Sequence, residues 1–576
     1  MPALRRTPQS ARPLERGFAI LSAVVLTLLA LGLVPWAAAA DEWLNFKLNL
    51  DETTQLQNEE QIAINPTNPD NMAAVWRDFR LGYRQVGWAY TFDGGATWTE
   101  GGLMEVLPGT YPYDSDPGIT TDKDGNFYAV ILSFVSTSQE NGLFVLKSTD
   151  GGVSWGEPMT VIDQFPGAFE DKEFLACDRT DSAHEGNLYV VWTRFSFTTQ
   201  IVHRRSTDGG ATWSGTYTVS DANGVQFPIP VVGREGEVYV AWTDYGSSSI
   251  KIDVSTNGGV SYGSDKTVTG VWSPSVIIDG GIDAYSSPHM DADVTDGTYS
   301  GRLYCAYMDR ISGAGDEDIY VRWSDDMGTT WSSRVRVNDD PTNNGLDQFH
   351  PWLAVDNLGI VTVVFLDKRD DPANWEYNCY LAQSTDGGAT WLPNERISTE
   401  SSNPSDAFTG RLPGDSTDKR SDARTEDIRP LTTGERAGLL GEYIGVVAWD
   451  GVATPIWTDI RNGHQDAYAG YLMIGSGAPE AGWTASASRL TVAPNPADLR
   501  GAIRVDGAAS GSAALRIIDP AGRVVRTLTA AGGTDATITL RWDGRGADGR
   551  SVPSGTYFLR LDSDAGSLGG KVIVVD

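Results

Sequence analysis

Through most of its length the chain alternates hydrophobic and polar residues with a period of two, in runs only long enough for strands. The clearest are DGNFYAVILSF from Asp124, EGNLYVVWTRF from Glu185, EGEVYVAWTDY from Glu235 and LGIVTVVFLDKRD from Leu358. Each opens on a glycine turn and continues in β-branched and aromatic residues, the composition of a pleated, half-buried surface. A shorter apolar run precedes the turn, at 61–65, 174–178 and 352–356, and another follows, at 144–148, 319–324 and 380–384. A second turn then leads into one more strand, so the pattern predicts units of four antiparallel strands.

That second turn is nearly the same six times: TFDGGATW at 91–98, STDGGVSW at 148–155, STDGGATW at 206–213, STNGGVSY at 255–262, SDDMGTTW at 324–331 and STDGGATW at 384–391. Its acidic or amide side chain (Asp93, Asp150, Asp208, Asn257, Asp326, Asp386) can accept backbone N–H bonds across the turn. The glycines tolerate positive φ, and the closing Trp98, Trp155, Trp213, Tyr262, Trp331 or Trp391 packs back on the sheet. The five aspartates lie 57, 58, 118 and 60 residues apart, the double step spanning Asn257, and a period of that size denotes a propeller or a solenoid. Three more strands, at 443–449, 453–459 and 466–472, supply a seventh unit without the turn. Segment 43–50 is the candidate for its missing fourth strand, and that pairing would close a ring and remove its open edges. The expectation is an all-β propeller of seven blades, with six the alternative.

The repeated turn is the Asp box, and the region resembles the Asp-box (BNR repeat) propellers, of which sialidases are the best-known members. The resemblance implies a site on the face opposite the boxes. It also implies three arginines converging on a substrate carboxylate, a tyrosine nucleophile helped by a glutamate, and an aspartate acid. The phenylalanine–arginine–isoleucine/valine–proline segment that introduces the first arginine in bacterial sialidases has no counterpart in this chain.

Composition changes past the propeller. Residues 487–576 hold eleven basic and nine acidic side chains, against a strongly acidic preceding region, and 475–488 is a linker of small residues. The strands of ALRIIDPAGRVVRTL, TITLRWDGRGADGRSVPSGTYFLRL and KVIVVD predict a small β-sandwich over 489–576. Its Pro494-Asn495-Pro496 opening, Trp542-Asp543-Gly544 and Ser554-Gly555-Thr556-Tyr557 resemble the Ig-like domain of the flagellar hook-capping protein and the C-terminal sorting domains of type IX secretion. That resemblance implies partners in assembly, secretion or surface-attachment machinery.

At the other end, Arg5, Arg6, Arg12 and Arg16 precede an apolar run at 17–34 and small residues at 37–40, the pattern of an export signal cleaved after Ala40. An uncleaved membrane anchor is the competing reading, since the run is long. The expected domains are a signal at 1–40, the propeller at 41–474, the linker and the sandwich, in a secreted, cell-surface or periplasmic protein. Loss of the signal moves the formal charge from −32 to about −35, which argues against nucleic acid or anionic membranes as partners. Cys177, Cys305 and Cys379 offer no disulfide framework.

Candidate chemistry lies where second strands end and where first strands begin. At the ends of the second strands stand Arg80, Arg194, Arg310, Arg369 and Arg461. They are ligand candidates by the resemblance, but they recur blade after blade beside aspartates, and pairing within the repeat explains a symmetric set better than one asymmetric ligand. The links entering the first strands differ from unit to unit. They bring Asp116, Lys172 with Glu173, Gln226, His289, Asp347 with His350, and Glu442 with Tyr443. Tyr443 and Glu442 are the candidates for nucleophile and helper, with Asp116 the third catalytic candidate. Lys172, Glu173 and His350 join the ligand-binding candidates. His289 and His350 lack ligand spacing for a metal and read as solvated loop histidines. Trp272, Trp352 and Trp375 lie near candidate loops, where exposed rings could stack on sugars. Asp122 to Asn126 looks like a calcium loop but lacks the closing glutamate and reads as a hairpin turn. No metal and no cofactor is expected. The functional reading is recognition of a glycan or protein ligand, a glycoprotein included, with an exo-α-sialidase or other exo-glycosidase and a surface or secretion-linked scaffold as alternatives.

Overall fold

The computed structural model describes residues 42–135, 140–165, 167–310, 315–405 and 440–473, and the strands with some turns of a second domain between 491 and 575. The expected signal at 1–40, the expected linker at 475–488, most of the long polar stretch at 401–440 between the sixth and seventh units, and the Pro494–Pro496 opening lie outside the described residues.

Seven four-stranded antiparallel sheets follow one another from 42 to 473. Their first strands are Gln57–Ile64, Tyr113–Thr121, Phe169–Cys177, Val225–Val232, His289–Ala292, Gln348–Val355 and Gly445–Trp449, which define blades 1 to 7. Each first strand contacts the first strands of the blades before and after it, and the last returns to Gln57–Ile64, so these strands ring the axis. Stacking buries both faces of the second strands. Every residue of Met72–Asp78, Leu303–Asp309 and Val361–Asp367 is buried, and Trp76, Trp192, Trp242 and Trp457 have no exposed surface.

The ring closes as the sequence pattern predicts. Glu42–Lys47 pairs antiparallel with Asp466–Met473, from Glu42 opposite Met473 to Lys47 opposite Tyr468, and becomes the outer strand of blade 7. Polar groups fasten the seam: Lys47 Nζ lies 2.8 Å from Asp466, Asn49 Nδ2 donates to Asp466 at 2.9 Å, and Asn45 Nδ2 donates to the Ile397 carbonyl at 3.0 Å. There are seven blades, not six.

The Asp boxes are clasps within and between blades. Asp386 accepts the Thr390 N–H at 2.8 Å and the Thr390 hydroxyl at 2.6 Å, while Ser384 Oγ accepts the Gly388 N–H at 2.9 Å. Asn257 keeps the geometry with one bond reversed, its Nδ2 donating to Ser261 Oγ at 2.8 Å. The second box glycine is required by space as well as by φ. At Gly152 φ is 89°, and a Cβ there would stand 2.9 Å from the Ala73 Cβ of the preceding blade. The Gly152 carbonyl accepts Trp88 Nε1 at 3.1 Å, which docks the box of blade 2 on blade 1.

A strand order of this kind puts the boxes and the first hairpin turns on one face, and the second hairpin turns and interblade links on the other, hereafter the mouth. On the mouth side, between blades 4 and 5, Ser275–Ile278 and Ile282–Tyr285 form an extra hairpin turning at Asp279, Gly280 and Gly281. The run IIDGGID is an ordinary hairpin signal that recurs in no other unit. Asp122 closes the first turn of blade 2, accepting the Asn126 N–H at 2.9 Å.

The second domain has a three-stranded sheet (Thr491–Ala493, Ile503–Ala509, Ala536–Trp542) and a five-stranded one (Ala497–Asp498, Gly566–Val575, Gly555–Ser563, Ser512–Ile518, Val524–Ala531). Leu515, Ile517, Trp542, Tyr557, Leu559 and Val572 are among its buried core, as the alternation along these strands requires.

Candidate functional site

Where the first strands reach the mouth, five of them carry a bulge whose leading residue is non-glycine at positive φ: Glu59 (58°), Asp116 (52°), Lys172 (54°), Phe227 (59°) and His350 (46°). Pairing skips two residues there, between Asn58 and Gln61, Ser115 and Gly118, Asp171 and Phe174, Gln226 and Ile229, and Phe349 and Trp352. A side chain at such a φ costs on the order of 1 kcal/mol, and the bulge re-aims it off the strand. Ahead of the first strand of blade 7, Gly441 has φ of 76°, and a Cβ there would stand 2.7 Å from the Glu59 nitrogen.

Three bulges bring their charges together. Lys172 Nζ lies 2.9 Å from Asp116 Oδ2, 2.6 Å from Glu442 Oε2 and 3.5 Å from Glu59 Oε1, and Arg77 Nη1 lies 3.1 Å from Glu59 Oε1. Asn58 Oδ1 accepts Arg77 Nε at 2.8 Å and fixes that guanidinium. All are buried, Lys172 and Glu442 retaining only 6% and 8% exposure. Burial raises every carboxyl here, and the partners decide which yield. Lys172 and then Arg77 overrule burial at Asp116 and hold it well below the usual carboxylate range. Lys172 and a hydrogen bond with Glu59 bring Glu442 down to about 2. Burial dominates at Glu59, at Glu60 and at Glu173, which lie well above the ordinary value. Two cations are thus matched by two ionised carboxylates, with three neighbouring carboxyls driven toward the neutral form. Glu60 has a partner in Thr458 Oγ1, at 3.0 and 2.9 Å; both Glu173 oxygens have none.

Beneath the charges the axis is filled by rings. Tyr443 packs edge-on and Trp352 tilted against Phe174, with centroids 5.0 and 5.7 Å away, and the His289 ring centroid lies 4.5 Å from that of Trp352. Tyr443 is 3% exposed, its hydroxyl donates to the Pro117 carbonyl at 3.3 Å, and burial pushes its pKa well above 10. His289 and His350 are not solvated loop histidines. Both are buried, which pushes them down to about 3 and about 4: His350 leads the bulge of blade 6, and His289 opens the first strand of blade 5 against the Trp352 ring. Trp352 belongs to this ring cluster, half-buried, whereas Trp272 is 57% exposed. Trp375 is half-buried and donates Nε1 to Ser405 Oγ at 2.9 Å. Gln226 is half-buried at the blade 4 bulge, and Asp347 accepts Asn374 Nδ2 at 2.6 Å.

The five arginines are each closed on a carboxylate. Arg80 meets Asp78 at 2.7 Å, Arg194 meets Glu170 at 2.7 Å, Arg310 meets Glu317 at 2.8 Å, and Arg369 and Arg461 meet Asp367 and Asp459 at 2.7 Å each. The same carboxylates in blades 1 and 7 accept the indole N–H of Trp76 and Trp457 at 2.8 Å. A tryptophan, an acid and an arginine thus fasten the end of the second strand, a repeat element with no substrate needed to explain it.

Two contributors escape a reading of the links alone. Arg77 sits on a second strand, at a position held by Leu132, Thr193, Thr243, Met308, Leu366 and Thr458 in the other blades; its being the single charge there is the available signal. Tyr285 comes from the extra hairpin, its ring 4.9 Å from Phe227, and feels the Glu442 carboxylate.

The model of the FlgD Ig-like domain family matches residues 497–567. No curated protein matches the chain. Among solved structures, an unknown-function protein from Dyadobacter fermentans is 16% identical over 57% of this chain and 94% of its own, with a TM-score of 0.39. The NanB sialidase from Streptococcus pneumoniae is 9% identical over 61% and 70%, with a TM-score of 0.42. The α-L-arabinanase from Penicillium chrysogenum is 13% identical over 57% and 94%, with a TM-score of 0.38. The neighbours are therefore sialidase and arabinanase propellers, and none of these similarities transfers a site or an activity to this chain.

Proposed function

We propose that this chain is an exported recognition protein, whose propeller binds a glycan or protein ligand on the mouth face without hydrolysing it, and whose Ig-like domain engages secretion or surface-attachment machinery. The observation that carries this reading is the commitment of every candidate catalytic group. A sialidase-type reaction needs arginines open to a carboxylate and a tyrosine open to the anomeric carbon. Here the five arginines hold protein carboxylates, and the Tyr443 hydroxyl is buried on a backbone carbonyl. The axial cluster supports a structural part: Lys172 ties blades 1, 2, 3 and 7 at the centre of the ring.

The test is release of methylumbelliferone from a sialic acid conjugate by residues 41–576, beside a panel of neutral glycosides. No turnover is expected on either. Saturable sialoside turnover abolished by Tyr443→Phe would overturn the proposal. One observation favours a second reading, a carboxyl-pair glycosidase: Glu59, raised by burial, and Glu442, lowered by Lys172 against burial, lie within one cluster, and two carboxyls pushed apart in this way suit an acid and a base. Neutral-glycoside turnover lost in Glu59→Gln would establish it instead.

A further inference from the structure

Among the described residues, six aromatic side chains are at least 36% exposed, and five of them lie on the mouth face: Tyr83, Phe165, Phe197, Tyr245 and Trp272. Each occupies a different second-hairpin turn or interblade link, and all fall between blade 1 and the start of blade 5. The sixth, Phe92, is on the box face. Isolated exposed apolar residues need no explanation, but one ring per turn along one arc of one face is not a scatter.

Two of the rings are held by contacts of their own, and the other three stand on turns whose backbone is fixed. Phe165 lies under the Arg194 guanidinium at 3.9 Å, which is itself fixed by Glu170, and Tyr83 packs edge-on against Tyr113 at 6.0 Å. The turn carrying Phe197 is closed by Ser196 N–H on the Thr198 carbonyl at 3.2 Å, leaving that ring fully exposed. The Tyr245 turn is pinned by its N–H on the Gly224 carbonyl at 3.1 Å, and Trp272 by its N–H on Asp309 at 2.7 Å.

We infer that this arc is a binding surface for an extended neutral polysaccharide. The inference rests on the recognition reading above and names its ligand. Sugars carry an apolar face and a hydroxyl edge, and the arc offers an aromatic face flanked at each step by hydroxyl, amide or carboxylate groups, as in FSFTTQ, DYGSSS and VWSPS. A protein partner would be met by a contiguous apolar core with a polar rim, and here the rings stand on five separate turns and links, with Leu81 and Ile277 the exposed aliphatic side chains beside them. Charge argues against a polyanion: Arg80 and Arg194 are neutralised by carboxylates, in a chain of net charge −32. Neighbouring sheets stand about 10 Å apart, so rings on successive blades suit a chain of several sugars better than a single residue.

The test is retardation of residues 41–576 in native gels containing laminarin, xylan or arabinan, with heparin as the polyanion, followed by titration with the corresponding oligosaccharides. Retention by a neutral polymer is expected, with affinity rising from disaccharide to hexasaccharide. Phe197→Ser, Tyr245→Ser and Trp272→Ser should each weaken it about three- to tenfold, at unchanged thermal midpoint since these rings are exposed. No retention by any neutral polymer, or stronger retention by heparin, overturns the inference. So does retention that the triple variant leaves intact; in that case recognition stands and its surface lies elsewhere.

Discussion

Glu173 offers the sharpest test of the axial electrostatics. Its two carboxyl oxygens are buried without a hydrogen-bond partner, and the residue is 1% exposed. The contrast with Glu60, at the same bulge position in blade 1, shows why. Glu60 finds the hydroxyl of Thr458 in the preceding blade, whereas the corresponding residue in blade 2, opposite Ser115, is Leu132. Burial and then the Asp116 carboxylate raise the Glu173 pKa well above 4.5. A raised acid pKa stabilises the fold below the unfolded value, and that contribution is lost as pH rises toward the folded value. The loss is about 1.4 kcal/mol per pH unit while the folded-state proton persists. Glu173→Met keeps the volume and removes both the titration and the orphaned oxygens, a gain of about 1–3 kcal/mol from the latter. Guanidinium unfolding followed by tryptophan fluorescence should therefore find the variant more stable than the parent at pH 5. Its advantage should grow as pH rises toward 7, by at most about 1.4 kcal/mol per pH unit. An advantage independent of pH, or a variant less stable throughout, would refute the reasoning, because Glu173 would then be ionised and paired in the native state.

Three further outcomes are expected. Lys172→Met leaves Asp116 and Glu442 ionised and buried without their cation, and should destabilise the propeller by about 3–5 kcal/mol in the same unfolding assay at pH 7. Because those two carboxyls are held low by Lys172, the deficit should shrink as pH falls below about 4.5, where the variant can protonate them. Gly152→Ala forces a side chain into φ of 89° against Ala73 and should cost about 1–3 kcal/mol, measured as a lowered guanidinium midpoint; the same change at Gly215, where a Cβ meets nothing within 4 Å, should cost far less. Removing 42–47 strips the outer strand from blade 7 and exposes the edge of Asp466–Met473, so sedimentation should show self-association absent from the parent.

The repeat, its four-stranded unit and its closure by the first described strand could all be read in the chain, because strand alternation and Asp-box turns are local and recur at a fixed spacing. The same is true of the Ig-like domain, whose turns are distinctive over a short span. Looking where the units differ also led to Asp116, Lys172 and Glu442, which do meet. What the chain could not disclose was the bulge in five of the first strands. It places Glu59 in the same cluster and turns His350 inward, although no residue type marks it, and the convergence of the strands buries His289 and Tyr443 as well. Nor could it disclose the pairing of each arginine with a carboxylate, which depends on distances across strands. Sequence spacing determines which residues share a strand and a face. Which charges are desolvated, and which partner neutralises them, is decided only when seven sheets converge on one axis, since burial and Coulomb energy depend on separations between residues as far apart in the chain as Lys172 and Glu442.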